Sequence, residues 1–186
     1  MSAQDSKLFV ISGPSGAGKG TLVTRVRERR SNLGLTVSAT TRAPRKGEVD
    51  GVNYFFLTRE EFDRRVANGE FVEWAEVHGN CYGTLVSEVA SKLASGASLI
   101  LEIDVQGALQ VKERFPEAVL IFIMPPSLEV LRERLVGRGT ETPETIELRM
   151  ANAADELALA DRYDDVVVND DLDRATDELV RVLDMH

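Results

Sequence analysis

A glycine-rich segment at residues 12–21 carries the clearest chemical signal in the sequence, SGPSGAGKGT. Its glycines would let the backbone close around a phosphate group, with consecutive N–H groups pointing inward. Lys19 would supply a positive charge to the β- and γ-phosphates of a nucleoside triphosphate. The usual pattern follows this lysine with Ser or Thr, but this chain has Gly20 there and a hydroxyl one residue later, at Thr21.

The alternative interpretation of this segment is a glycine-rich turn with an exposed lysine. Its context favours a phosphate site, because residues 7–12 predict a buried strand before it and residues 19–30 predict a helix after it. The N-terminus of that helix would present the positive end of its dipole to the phosphate. Because Gly20 lacks a hydroxyl, Thr21 or water molecules would have to contact the accompanying Mg²⁺.

A second group of chemically useful residues is basic. Arg42, Arg45 and Lys46 lie around Pro44, which stiffens the segment. Two guanidinium groups on a constrained loop would clamp a second phosphate, and Tyr54 would add a phenolic hydrogen bond. By itself, the pattern also fits an ordinary solvated basic loop.

Residues 70–84 alternate apolar and acidic side chains, which predicts a half-buried strand. In a regular strand Phe71, Glu73 and Ala75 would share one face, and Trp74 on the other would pack in the core. A buried Glu73 would need hydrogen-bond donors, and the ring N1–H and amine of guanine offer two adjacent ones. The alternative is an edge strand with a solvated glutamate. Two further residues of this region are interpreted as structural: His78 and Cys81.

Three arginines bracket a polar, glycine-containing segment at residues 137–145. Arg134 and Arg138 are four residues apart on a predicted helix and therefore share a face, and Arg149 follows on the next helix. Helical arginines are usually solvated. Placed on both sides of a lid, however, these three would stabilise the charge on a phosphoryl group in transfer.

The amino-acid composition restricts the kinds of partner and metal that this protein is expected to bind. The chain of 186 residues has a formal net charge of −9, and residues 151–186 alone carry 11 acidic and 3 basic side chains. Because nucleic-acid polymers are bound largely through phosphate neutralisation, such a partner is not expected. The single cysteine excludes an internal disulfide and a cysteine-based zinc cluster. Without a predicted membrane span or secretory signal, we expect a cytoplasmic protein.

Apolar runs alternate with helical patterns along most of the chain, which predicts an α/β fold: a parallel sheet covered by helices on both faces. Further strands are predicted at residues 98–104, 118–124 and 165–169. Further helices are predicted at residues 84–95, 105–114, 127–138, 143–160 and 171–185. The predicted single domain comprises a core (1–35, 90–136 and 151–186), a small α+β insertion (36–89) and a lid (137–150).

The ordered set of these motifs resembles the guanylate kinase family over roughly residues 7–185. After the phosphate loop come TTRAPRKGEVDGVNY, FVEWAEVHGNCYGT, EIDVQG, GRGTET and VNDD. The resemblance implies a P-loop core, a GMP-binding insertion and a lid. It also implies that ATP phosphorylates GMP, and dGMP as well, in purine nucleotide recycling, with Mg²⁺ required and the chain a monomer or homodimer.

The resemblance also implies residue roles. ATP would be held by the loop and one later residue: Gly13, Pro14, Ser15, Gly16, Ala17, Gly18, Lys19, Gly20, Thr21 and Asn169. GMP would be bound by Ser38, Arg42, Arg45, Tyr54, Glu73, Tyr82, Thr84 and Asp104. The catalytic charges would be Lys19, Arg134, Arg138 and Arg149. Thr21 would be the protein ligand for Mg²⁺, with water and phosphates supplying the rest.

Some features depart from the family pattern, and other classes of protein share parts of it. Gly20 replaces the usual hydroxyl residue, Glu102 stands where Asp is common, and Thr84 stands where Ser is also common.

A ribose bisphosphate kinase would keep the loop and lid without a guanine-reading glutamate. A non-catalytic phosphopeptide-binding scaffold tends to lose the loop or lid charges. Adenylate kinases share the GKGT loop but lack the basic and Glu-Trp segments.

Overall fold

The computed structural model describes residues 6–77, 79–137 and 142–186. Its strands, in chain order, are β1 (Leu8–Ser12), β2 (Leu33–Leu35), β3 (Ala39–Thr40), β4 (Phe55–Phe56), β5 (Phe71–Val77), β6 (Asn80–Leu85), β7 (Ser98–Glu102), β8 (Val119–Met124) and β9 (Asp165–Val168). Its α-helices are α1 (Lys19–Arg29), α2 (Arg59–Ala67), α3 (Val86–Ala94), α4 (Val105–Arg114), α5 (Leu128–Gly137), α6 (Pro143–Leu157) and α7 (Leu172–Met185). A 3-10 turn lies at Ala160–Arg162.

A five-stranded parallel sheet in the order β2-β7-β1-β8-β9 forms the core, which confirms the predicted α/β fold. Alternate residues of β1 face opposite layers, because successive side chains of a strand point to opposite faces. Phe9 and Ile11 pack with α1 and α7, whereas Leu8 and Val10 pack with α3 and α4. Both faces of the sheet are therefore buried, as its apolar strands require.

The second sheet is smaller and mixed, in the order β4-β3-β6-β5. Strands β3 and β4 run parallel, and β6 is antiparallel to both β3 and β5. One face packs on α2 through a small apolar cluster that contains Phe62, Phe71 and the fully buried Cys81. The other face is thereby left to carry polar side chains, which matters for the site.

Two details of the secondary structure predicted from the sequence were wrong. Residues 80–85 form strand β6, so the helix predicted to begin at residue 84 begins at 86. The three-residue strand β2 was not predicted, because a run this short shows no periodicity. The predicted insertion boundary between residues 89 and 90 falls inside α3, whose Val89 packs in the core.

Trp74 and its strand differ most from the sequence expectation. The pairing of β5 with β6 shifts register between Phe71 and Glu73, which is a β-bulge that interrupts alternation. Phe71, Val72 and Glu73 are consequently all buried, and Phe71 and Glu73 do not share a face. Trp74 is 41% exposed rather than in the core, and its ring centroid lies 6.2 Å from that of Phe62 in an edge-on arrangement.

Helix length and character also bear on membrane association. In the three described ranges of the chain, no helix combines the length and the apolar character that crossing a bilayer would require.

Candidate active site

The loop between β1 and α1 is held in shape by close backbone packing. Gly13 has a φ of 140°, and a Cβ added there would lie 2.3 Å from the carbonyl oxygen of Ile123 in β8. No other residue fits at that distance without moving the strand. The parallel strands all end at the same edge, so the loop opens where an α/β sheet offers a crevice for ligands.

The far end of the loop is clamped by Asn169, which follows β9. Its side-chain amide donates to the carbonyl of Ala17 at 2.8 Å, and the residue is only 5% exposed. Gly18, with a φ of 91°, passes so close that an added Cβ would lie 2.4 Å from the Asn169 Nδ2 atom. Asn169, predicted from the family resemblance to help hold ATP, shapes the loop itself.

Lys19 lies inside the loop rather than pointing away from it. Its Nζ donates to the carbonyl oxygens of Gly13 at 2.5 Å and Pro14 at 3.1 Å. The ammonium group is thus centred among the loop's own backbone groups, where a phosphate would also be bound. This placement excludes the alternative of a lysine that is merely exposed.

Arginines from two helices contact the loop on different sides. Arg134 of α5 donates to the carbonyls of Asn169 at 2.8 Å and Ala17 at 3.4 Å. Arg149 of α6 donates to the hydroxyl of Ser15. The structure thus brings Arg134 and Arg149 to the loop, and Arg138 lies outside the described residues.

Carboxylates gather near Lys19. Burial raises the pKa of Glu102, at the end of β7, and Lys19 acts against that rise. Glu156 of α6 shows the same pattern: burial raises its pKa, Lys19 lowers it, and Asp104 adds a further rise. Glu156 was missed by sequence reasoning, and its one signal was the seven-residue spacing from Arg149, which places both on one helix face.

Four of the predicted GMP-site residues form a row across the second sheet. Glu73 pairs with Thr84, while Ala39 pairs with both Gly83 and Phe55. Continued by one residue, this register produces the order Tyr54, Ser38, Thr84 and Glu73, in which Tyr54 and Ser38 directly precede β4 and β3 and the other two lie on β6 and β5. Residues directly opposite one another project from the same face, so these side chains line the surface turned away from α2.

Glu73 ends this row as a buried carboxylate. It is 5% exposed and accepts a hydrogen bond from the Thr84 hydroxyl at 2.7 Å. Burial raises the pKa of Glu73 to about 7, the Thr84 hydroxyl opposes the rise, and Asp104 adds to it. Asp104 caps α4 by accepting from the Gly107 N–H at 2.9 Å. A Cβ added at Gly107 would lie 3.1 Å from Glu73 Oε2, so this end of the row faces the first turn of α4, which follows β7 in the chain.

The aromatic end of the row holds a positive charge. Arg42 lies 5.4 Å from the centroid of the Tyr54 ring, and the Tyr82 ring is 6.2 Å from that of Tyr54. Arg42 pairs with Glu48 at 2.9 Å, and this pairing raises the pKa of Arg42 and lowers that of Glu48. Arg42 is therefore built into the site, whereas Arg45 is exposed and donates its backbone N–H to Glu48.

A phosphate loop at the carboxyl edge of a parallel sheet, approached by arginines from two helices, places the chain in the class of P-loop nucleotide-binding proteins. Comparison with known proteins identifies the particular family. The family model described as guanylate kinase matches residues 5–186. The chain belongs to the guanylate kinase family.

Individual relatives agree with this assignment. A guanylate kinase of Gloeobacter violaceus is 57% identical over 178 residues, covering 96% of this chain and 87% of the relative. One from Halalkalibacterium halodurans is 52% identical over 183 residues, or 98% of this chain and 90% of the relative. The crystal structure of guanylate kinase from Anaplasma phagocytophilum superposes with a TM-score of 0.74 at 38% identity, covering 97% and 85% of the two chains.

Proposed function

We propose that this chain transfers the γ-phosphoryl group of ATP to GMP and releases ADP and GDP. The observation that carries the choice of acceptor is the buried Glu73 carboxylate, which ends a polar row beside the first turn of α4. A buried carboxylate needs hydrogen-bond donors, and those of a ligand would add to the one from the Thr84 hydroxyl. Relatives named guanylate kinase at 52% and 57% identity support the same reaction.

Guanine fits the row because its donors and acceptor are complementary to it. Glu73 accepts from the ring N1–H and the exocyclic amine, while Ser38 and Thr84 supply hydroxyls beside it. Adenine presents a bare N1 lone pair to the carboxylate, and a site built on substrate donors rejects a ligand without them by about 10⁴-fold or more. Arg42, Arg45, Tyr54 and Tyr82 would hold the GMP phosphate at the other end of the row.

ATP lies along the loop in this proposal. The backbone N–H groups of the loop and the N-terminus of α1 bind its β- and γ-phosphates, with the Lys19 ammonium among them. Arg134 and Arg149 approach from α5 and α6, and Arg138 joins them by the predicted spacing. Together they neutralise charge that spreads over the transferring phosphoryl oxygens.

The chemical step requires little proton transfer from the protein. A phosphate monoester is largely dianionic above about pH 6, so the attacking GMP oxygen carries no proton to be removed. That oxygen forms a bond to the γ-phosphorus as the bond to the β–γ bridging oxygen breaks, and the electron pair leaves with ADP. Positioning and charge stabilisation therefore account for catalysis. Closure of the insertion and lid would keep water from competing as the acceptor.

The residues near the loop fit a Mg²⁺ ion. Glu102 and Asp104 offer hard oxygen donors at the end of β7, and kinase sites hold Mg²⁺ with one or two carboxylates plus substrate phosphates. A bound Mg²⁺ ion would stabilise the negative charge on the phosphates during transfer. Thr21, the ligand predicted from sequence, lines a cavity together with Gly18 and Asn169.

A coupled assay of ADP formation tests the proposal, with ATP and Mg²⁺ supplied and GMP, dGMP or AMP as the acceptor. We expect rapid turnover with GMP, measurable turnover with dGMP, and near-background rates with AMP. A folded protein that binds GMP without turning it over would instead favour a non-catalytic binding function.

A further inference from the structure

Three consecutive residues of β5 lie in three different surroundings. Phe71 packs in the apolar cluster of the second sheet, and Val72 belongs to the core cluster that includes Val111 of α4. Glu73 ends the polar row beside the first turn of α4. A regular strand alternates between only two faces, so this distribution depends on the bulge between Phe71 and Glu73. The position of the Glu73 carboxylate therefore depends on what holds the backbone at the bulge.

Arg114 holds that backbone from outside the sheet. It is the last residue of α4, and it donates from Nη1 to the carbonyl of Phe71 at 2.8 Å and from Nη2 to the carbonyl of Gly69 at 2.6 Å. The planar guanidinium group can make both bonds at once because its donors form a rigid fork. Since a bulge locally disrupts the ladder of hydrogen bonds between strands, bonds from a neighbouring helix matter more there than beside a regular strand.

Helix α4 contacts β5 near both of its ends. At the first turn of α4, a Cβ added at Gly107 would lie 3.1 Å from Glu73 Oε2 and 3.4 Å from Glu73 Cγ. Arg114 follows Gly107 by seven residues, which is about two helical turns, so the two lie on the same face of α4. One face of this helix thus contacts the carboxylate at one end and the backbone that leads to it at the other.

We propose that Arg114 is a positioning residue for base recognition, whose two bonds to the β5 backbone keep the Glu73 carboxylate where it meets both guanine donors. This inference rests on the proposed kinase function and deepens it by adding a residue that acts through Glu73. A recognition group must be held within about 0.5 Å of its productive position, so a shift of the backbone at Phe71 would cost one of the two bonds to guanine. Arg114 is exposed, so replacing it opens no cavity in the core.

The experiment measures the dissociation constants of GMP and ATP by titration calorimetry for the full-length wild type and variants. We expect Arg114→Met to weaken GMP binding about tenfold and to leave ATP binding within about twofold of wild type. Arg114→Lys keeps the charge without the fork and should weaken GMP binding about threefold. Arg27→Met is the matched control, since Arg27 is also exposed but donates to the carbonyl of Leu33 in the core sheet, at 3.4 Å. It should leave both constants unchanged.

Inosine monophosphate separates a positioning role from a structural one. It keeps the ring N1–H of GMP but lacks the exocyclic amine, so it makes only one of the two bonds to Glu73. Arg114→Met should weaken its binding only about twofold, and the preference for GMP over inosine monophosphate should therefore fall about fivefold. A general loosening of the fold would instead weaken both nucleotides equally, and that result would overturn the inference.

Two further results separate this inference from the proposed function. If Arg114→Met does not fold, as judged by chemical denaturation, Arg114→Lys carries the same comparison of the two nucleotides. A wild type that turns over GMP, with an unchanged nucleotide preference in the Arg114 variants, removes only the positioning role. A wild type that neither binds GMP nor turns it over removes the proposed function as well.

Discussion

In the proposed function, the phosphate loop and the polar face of the second sheet bind their ligands by different means. The loop is a contiguous segment whose shape depends on backbone packing: Gly13 lies against the Ile123 carbonyl, and Asn169 is bonded to Ala17. The polar face is assembled from side chains on four strands that meet only through the register of the sheet. Phosphates are the same in every nucleotide, whereas bases differ.

The loop and the sheet face should therefore contribute differently to substrate specificity. Backbone N–H groups bind any phosphate, so the loop requires shape more than side-chain identity. Base recognition requires particular donors and acceptors at set distances, so the sheet face depends on individual side chains. Substitutions on the face should alter the choice of substrate, and substitutions in the loop should alter turnover or stability.

Glu73→Gln should produce the largest effect, because it tests directly whether the sheet face selects the base. Glutamine keeps one acceptor oxygen but replaces the other with an NH2 donor, so it cannot accept from both guanine donors. The preference for GMP over AMP in kcat/KM should therefore fall by about 10³-fold or more. Glu76→Gln is the control, since Glu76 lies on the same strand, is exposed and pairs with Arg59. Full GMP discrimination in Glu73→Gln would remove the assigned role of this residue.

The pH dependence of stability provides the next largest effect. The pKa of Glu73 is raised from 4.5 to about 7 in the fold. Between these values the unfolded chain releases the proton while the folded chain retains it, so stability declines as pH rises through this window and levels off above it. Relative to Glu73→Gln, the wild type should lose about 3 kcal/mol of unfolding free energy between pH 4.5 and 8. Denaturant titrations at both pH values check this, and a constant difference would contradict it.

Lys19→Met tests the charge held within the loop. Losing the ammonium that lies among the phosphate-binding groups should lower kcat by at least about 10²-fold, with a smaller effect on the choice of base. Steady-state kinetics with GMP and AMP separate the two effects. Lys112→Met serves as the comparison, because Lys112 lies near the C-terminus of α4 and pairs with Asp164. Turnover close to wild type in Lys19→Met would rule out its catalytic role.

Gly13→Ala should produce the smallest effect, on stability, and sharpens the claim that the loop depends on shape. Gly96 also has a positive φ, but a Cβ there meets nothing within 4 Å. Gly96→Ala therefore reports backbone strain alone, and Gly13→Ala should cost about 2 kcal/mol more because the methyl group collides with β8. Chemical denaturation measures both. Equal losses would mean that β8 yields to the added methyl group.

Much of the core architecture could be predicted from the sequence because its signals are local. The apolar runs of β1, β7, β8 and β9 and the helical patterns between them predict a covered parallel sheet, which the structure confirms. The glycines and lysine of the phosphate loop are contiguous, so their spacing alone indicated the chemistry. Local signals fail where an element is short or irregular, as at β2 and at the bulge before Glu73.

The parallel core and the phosphate loop follow from local sequence patterns, which also indicate candidate residues for base recognition. Which of those candidates share a surface depends on the three-dimensional fold. Sheet register aligned Tyr54, Ser38, Thr84 and Glu73, and the bulge turned Trp74 outward while burying Glu73. Chain folding brought Glu156 near Lys19 and Glu102 against Gly20. The physical reason is that periodicity and turn propensity act between neighbours in sequence, whereas burial, charge and close contact depend on which distant segments pack together.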